Sequence, residues 1–271
     1  MKSLVITGGG GIHLHVIDAG NPRGKPFVFI HGFSQCALSW IRQLNSPLVD
    51  TYRLVAMDLR GHGLSDKPRE GYADSRLWAD DVQAVIQALD LDHPILCGWS
   101  YGPLVILDYL RHHGEKNIRG VNFVGGVTKL GSDQAASVLT AEFLSLIPGF
   151  FSSDVEQSVQ SLTSLLRLCF VRELPTEDLY RMLGYSVSVP PYVRQALFSR
   201  SFDNDDLLPR IRVPVLITHG MSDSVVKPVV IDQQMSSIAS ARIERMATGH
   251  ACFWDDPAGY NKCLQRFADD L

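Results

Sequence analysis

The sequence predicts an α/β fold: a mainly parallel sheet with helices on both faces and a helical cap inserted into it. Three observations carry that expectation. Short apolar runs recur at wide intervals, at 27–30, 54–57, 95–97, 121–124 and 213–217, each bounded by Gly, Pro or Asp. Segments of helical period separate several of them; in 78–89, for instance, Trp78, Val82, Val85, Ile86 and Leu89 share one face. Strands that alternate with helices build parallel sheets covered on both sides. Finally, the rhythm stops across 128–208, where helical patterns take over, and resumes at Val213.

Residues 12–18 alternate weakly and read as a strand, and the four glycines at 8–11 fit a hairpin turn into it. No Lys-Ser/Thr follows those glycines and no helix opens there, which disfavours a phosphate cradle. The stretch 128–208 is too long for a structureless loop. It reads as helices at about 133–147, 154–170, 176–184 and 191–199. Ser153 and Glu156 form a capping-box pattern, followed by a stripe of Val155, Val159, Leu162, Leu166 and Cys169. The expected organisation is a core of 1–127 and 209–271 with a cap at 128–208. An independent second domain fits less well, because the strand rhythm resumes afterwards.

The 271 residues are 45% hydrophobic and 20% charged, with a formal net charge of −4. That balance is ordinary for a soluble globular chain, and no basic cluster points to nucleic acid. No apolar run approaches the ~20 residues of a membrane span. Five cysteines, odd in number and without CxxC spacing, read as free thiols of a reducing compartment. With no signal-peptide pattern at residues 1–5, the expected location is cytoplasmic.

The chemistry concentrates at Gly98-Trp99-Ser100-Tyr101-Gly102, between an apolar run and a helical stretch at 104–110. A serine on a strand-to-helix turn needs a strained backbone, and glycines two residues away remove side chains that would collide. The helix beyond aims free amides at developing negative charge. Pro103 fits its first turn. The alternative is a glycine-rich turn with a capping serine.

A serine hydroxyl needs a base. His250, in a loop before the C-terminal helix, is the candidate. His219 ends a strand but precedes the candidate acid. His62, His112 and His113 read as surface or turn residues, and His13 and His15 as one face of an outer strand. Asp223 follows the strand 213–217, lies between serine and histidine in the chain, and is the candidate acid that orients the imidazole. Its alternative role is an Asx-type turn. The His31-Gly32-Phe33-Ser34 loop follows the strand 27–30. There the amide of Phe33, beside that of Tyr101, would form an oxyanion hole. His31 reads as a brace for this loop.

Together, His31-Gly-Phe, Asp58-Leu-Arg-Gly-His-Gly-Leu-Ser65, the pentad around Ser100, His219-Gly-Met-Ser-Asp223 and Gly249-His250 resemble the α/β-hydrolase superfamily along the whole chain. The resemblance is strongest to small bacterial esterases, cofactor-free perhydrolases and acyl-homoserine lactonases. It implies the eight-stranded type of sheet, a structural role for the Asp58–Ser65 turn, and a cap that shapes substrate choice. Serine rather than aspartate at 100 disfavours haloalkane dehalogenase and epoxide hydrolase chemistry. Pro103 departs from the small residue of many relatives.

The expected activity is hydrolysis of carboxylic esters, with lactones such as acyl-homoserine lactones among the candidates. The expected partner is a small-molecule ester or lactone, with no nucleic acid, no cofactor and no metal. Carbon–carbon bond hydrolysis of a diketone by the same triad is one alternative. A non-catalytic ligand receptor on the same fold is the other. Phe143, Leu146, Ile147, Phe150 and Phe151 would face an acyl chain or form the cap's own core.

Overall fold

In the computed structural model, which describes residues 1–271, eight strands form one sheet in the order β1-β2-β4-β3-β5-β6-β7-β8. The first half of the chain runs β1 (Lys2–Thr7), β2 (His13–Gly20), β3 (Pro26–Ile30), α1 (Ile41–Leu44), α2 (Leu48–Thr51), β4 (Arg53–Met57), α3 (Ser75–Ala88), β5 (Ile95–Trp99), α4 (Gly102–His113) and β6 (Gly120–Val124). Five helices follow before the sheet resumes: α5 (Asp133–Ser137), α6 (Ala141–Phe150), α7 (Val155–Leu168), α8 (Thr176–Val187) and α9 (Pro191–Phe198). The chain ends with β7 (Val215–Gly220), α10 (Val230–Ser237), β8 (Ala241–Met246), α11 (Cys252–Asp255) and α12 (Pro257–Asp269).

β1, β2 and β4 pair antiparallel, and from β4 to β8 every pairing is parallel. All residues of β3, β5, β6 and β7 are buried, which is why these strands read as unbroken apolar runs. Successive strand residues point to opposite faces. Gly98 of β5 lies against Ile106 of α4, while its neighbour Cys97 faces Tyr260 of α12. Helices therefore cover both faces. No helix is long and apolar enough to cross a membrane.

Several sequence expectations are revised. The edge strands β1 and β8 were not legible as runs: β8 reads Ala-Arg-Ile-Glu-Arg-Met and stays partly exposed. β2 lies one strand in from the edge, so His13 and His15 do not sit on the outer strand. The strand expected at 213–217 begins only after Pro214, which has no amide to donate. The helix expected at 133–147 is two, because Thr140 starts α6 afresh: its hydroxyl accepts from the Phe143 amide at 3.2 Å. α7 is capped by Asp154, not Ser153; its carboxylate accepts from the amides of Glu156 and Gln157, and negative charge suits a helix N-terminus. Val155 is 75% exposed and falls outside the stripe, which instead includes Leu165. His62 lies in a turn but is fully buried, not at the surface.

Candidate active site

β5 delivers Ser100 into a turn before α4. Its φ is 58°, in the left-handed region that non-glycine residues enter at a cost. The turn is crowded. A Cβ on Gly98 would stand 2.6 Å from the carbonyl carbon of Gly102, and one on Gly102 would stand 2.7 Å from the Ile30 carbonyl oxygen. Side chains there would push β5, α4 and β3 apart. Two backbone bonds fix the serine to β6 and beyond: its amide donates to the Val124 carbonyl at 2.9 Å, and its carbonyl accepts from the Val127 amide at 3.2 Å.

The Phe33 and Tyr101 amides donate to no protein group, although both residues are largely buried. Buried amides are nearly always paired; here one free donor directly follows Ser100 in the chain, and the other follows Gly32, on which a Cβ would stand 2.9 Å from that of Ser100. The loop carrying Phe33 is braced by His31, whose Nδ1–H donates to the Gly32 carbonyl at 2.8 Å while its Nε2 accepts from the Leu59 amide at 3.0 Å. Burial lowers the pKa of that imidazole, which matches a neutral ring with one donor and one acceptor nitrogen.

His250 follows β8. Its Nδ1–H donates to Asp223 Oδ2 at 2.8 Å, and both side chains are buried. The other carboxylate oxygen of Asp223 accepts from the Val225 and Val226 amides, each at 2.8 Å. The Asp223 carboxylate is thus held by its own turn through one oxygen and bonded to the imidazole through the other. The histidine loop is held from two sides: Trp99 Nε1 donates to the His250 carbonyl at 3.0 Å, and the Ala251 amide donates to the Cys169 carbonyl, also at 3.0 Å. His219 Nε2 is 3.5 Å from Asp223 Oδ2. It donates instead to the Val226 carbonyl at 3.1 Å, and burial lowers its pKa.

Ser100 and His250 line one cleft of about 350 Å³ empty space. Gly32, Phe33, Gln35 and Trp99 form its core side; Phe143, Leu165, Leu166 and Cys169 of the helical insert, with Val225, close it. His219 does not line it. The cleft sits at the carboxyl ends of β3 and β5, where parallel sheets place their functional loops. A larger polar depression, about 570 Å³, is lined by Arg23, Lys25, Arg53 and Arg119. It lies where β3 and β4 begin, at the other end of the strands from Ser100, and its lining includes neither serine nor histidine.

Of the five insert residues expected to face an acyl chain or form the insert's core, only Phe143 lines the cleft; Phe150 is fully buried and packs against Phe33, with ring centres 5.2 Å apart. Gln35, Leu165 and Val225 were not singled out from the sequence. Leu165 belongs to the buried face of α7, next to the expected Leu166, a detectable signal; Gln35 and Val225 reach the cleft only through tertiary folding. Asp58 takes the structural role that the resemblance implied. Burial pushes its carboxyl up, but bonds from His15, the Ala37 and Leu64 amides, and the nearby His31 outweigh this and hold it below the usual range.

An eight-stranded, mostly parallel sheet with a serine at this turn defines the α/β-hydrolase class. The chain belongs to the α/β-hydrolase fold family, whose model matches residues 25–257. The esterase RhEst1 from Rhodococcus sp. ECU1013 is 34% identical, with a TM-score of 0.93 and full coverage of both chains. The esterase EaEST from Exiguobacterium antarcticum is 29% identical, with a TM-score of 0.85 over 99% of this chain and 100% of that one. A non-heme chloroperoxidase of Streptomyces lividans is 31% identical over 82% of each chain.

Proposed function

We propose that the protein is a serine hydrolase of carboxylic esters, with Ser100 as nucleophile, His250 as base, Asp223 as orienting acid, and the Phe33 and Tyr101 amides as the oxyanion hole. The carrying observation is that His250, its Nδ1 committed to Asp223, lines the same cleft as a serine held in a left-handed turn. Its Nε2 is then the nitrogen left to take a proton. Ser100 Oγ attacks the carbonyl as that proton passes to His250, and the two amides receive the oxyanion. The alcohol leaves with the proton. Water, deprotonated by His250, then releases the acid.

Residues 128–208 serve as a cap on a core of 1–127 and 209–271. Apart from Ser100 and His250, the cleft's one strongly polar side chain is Gln35, so the favoured acyl group is uncharged. Lactones present the same carbonyl and belong to the same reading. The similarity to a chloroperoxidase supports a second use of the acyl-enzyme, in which hydrogen peroxide replaces water and leaves as the peracid. Labelling by a fluorophosphonate probe that disappears in Ser100→Ala tests the nucleophile. A panel of p-nitrophenyl esters and lactones, with and without peroxide, ranks the substrates. Undiminished labelling in Ser100→Ala removes the proposal.

A further inference from the structure

We propose that Arg194 and Arg200 are positioning residues that fasten both oxyanion-hole amides to the helical insert, so that the insert sets the reactivity of the site as well as its shape. This rests on the serine hydrolase reading above.

Arg194, in α9, is 2% exposed and has no carboxylate in ion-pair range. Burial lowers its pKa from the usual guanidinium value, and no neighbouring charge opposes that shift. A buried charge without a counter-ion is strongly unfavourable unless its hydrogen bonds are satisfied; Nε here finds no partner, so the two bonds made by the other nitrogens carry the whole anchorage. Nη2 donates to Ser158 Oγ of α7 at 3.1 Å, and Nη1 donates to the Ser186 carbonyl at 3.2 Å.

Ser186 is the link to the oxyanion loop. Its carbonyl also accepts from Ser34 Oγ at 3.2 Å, and its hydroxyl accepts from Gln35 Nε2 at 2.9 Å. Ser34 has a φ of 57°, a conformation that costs about 1–2 kcal/mol in an L-residue and persists only when held from outside. The two residues after Phe33 are therefore both tied to Ser186, which Arg194 ties to α7. The Phe33 ring also packs edge-on against Phe198 of α9, with centres 4.9 Å apart.

The other amide belongs to Tyr101. Its phenol accepts from Arg200 Nη1 at 3.2 Å, and Arg200 Nη2 donates to Asp108 of α4 at 2.6 Å. The Arg200 Cζ also lies over the Phe202 and Trp78 rings, 4.1 and 4.7 Å from their centres. A planar fork so placed has little freedom. Both oxyanion donors thus report to one stretch of chain, from Ser186 to Arg200.

Three variants test this with p-nitrophenyl acetate and an aryl trifluoromethyl ketone. The ketone adds Ser100 Oγ to its carbonyl carbon, passes the serine proton to His250 and leaves an oxyanion. Ser34→Ala deletes one bond of the brace and Tyr101→Phe two, the one from Arg200 and one to the Leu197 carbonyl at 3.5 Å, while both keep the two amides and the Arg200–Asp108 ion pair; Arg194→Met deletes the anchor. Each should lower kcat roughly 10-fold, part of the 10²–10³ that a lost oxyanion donor costs, with KM nearly unchanged. Affinity for the ketone should fall by the same factor as kcat/KM. Should Arg194→Met fail to fold, the two mild variants decide alone. Unchanged kcat, or lowered kcat with unchanged ketone affinity, overturns the brace while leaving the hydrolase reading standing. A wild-type protein that neither reacts with fluorophosphonate nor turns over any ester overturns both.

Discussion

Ser100 sits where glycine would be at ease, and that conflict is measurable. Ser100→Gly should be more stable than Ser100→Ala by about 1 kcal/mol, because alanine keeps the left-handed penalty and glycine sheds it. Urea denaturation of the pair reads the difference, and equal midpoints would mean the turn carries no strain. At the acid, Asp223→Asn keeps an oxygen for the Val225 and Val226 amides but turns an NH₂ toward His250 Nδ1. The ring must then protonate Nε2, the wrong nitrogen for a base. Turnover should fall at least ~10²-fold, toward the ~10⁴ of the equivalent change in a serine protease. Near-normal turnover would place the acid elsewhere. A hydrogen-bonded row of the same composition exists at Ser3, His15 and Asp58, with both links at 2.8 Å. Ser3 lies in extended β1 and outside the cleft that Ser100 lines, so a Ser-His-Asp row alone does not make a site.

At the scale of elements, the turn after β4 makes a prediction about acid. Burial holds the His62 imidazole down to about 3, against 6.5 in the unfolded chain. Between those values the unfolded chain binds the extra proton, so stability rises with pH. The contribution is complete above about 6.5 and drains away as pH falls toward 3, by about 1.4 kcal/mol per pH unit. His31 and His219, also lowered by burial, add the same sign. Folding free energy measured from pH 7 to 5 should slope less in His62→Gln than in wild type; identical slopes would contradict a buried neutral His62.

The elements show why some of this was legible in the sequence. The pentad around Ser100 is local: strand, strained turn and helix are adjacent in the chain, so spacing alone exposes them. The loop at His31–Ser34 follows its strand for the same reason. The break between α5 and α6 is only half local: the Thr140 cap is a neighbour's signal, but Leu139 bridges to Val226, distant in sequence. Nor does anything near Gln35 in sequence announce that Ser186 will hold it. Residues placed by packing across the insert escape a reading that sees only neighbours.

For the whole molecule, the five cysteines offer a probe of global opening. All are free and buried, and burial raises every thiol, those of Cys97, Cys169 and Cys252 well above the ordinary value. Thiolate is the reactive form. Native protein at pH 8 should therefore barely react with Ellman's reagent on the minute scale, while denatured protein should release five equivalents of colour. One fast equivalent in the native protein would single out Cys263, the most exposed of the five.

β6 and β7 lie side by side although the chain leaves the sheet for roughly ninety residues between them. Closing a loop that long costs only about 1.6 kcal/mol more than closing one of about fifteen residues, since the penalty grows with the logarithm of length. A lineage can therefore lengthen, trim or exchange this excursion with little threat to the sheet. If the brace from Ser186 to Arg200 holds, selection on the insert acts through rate: a grafted insert would leave a folded protein whose Phe33 loop had lost its moorings.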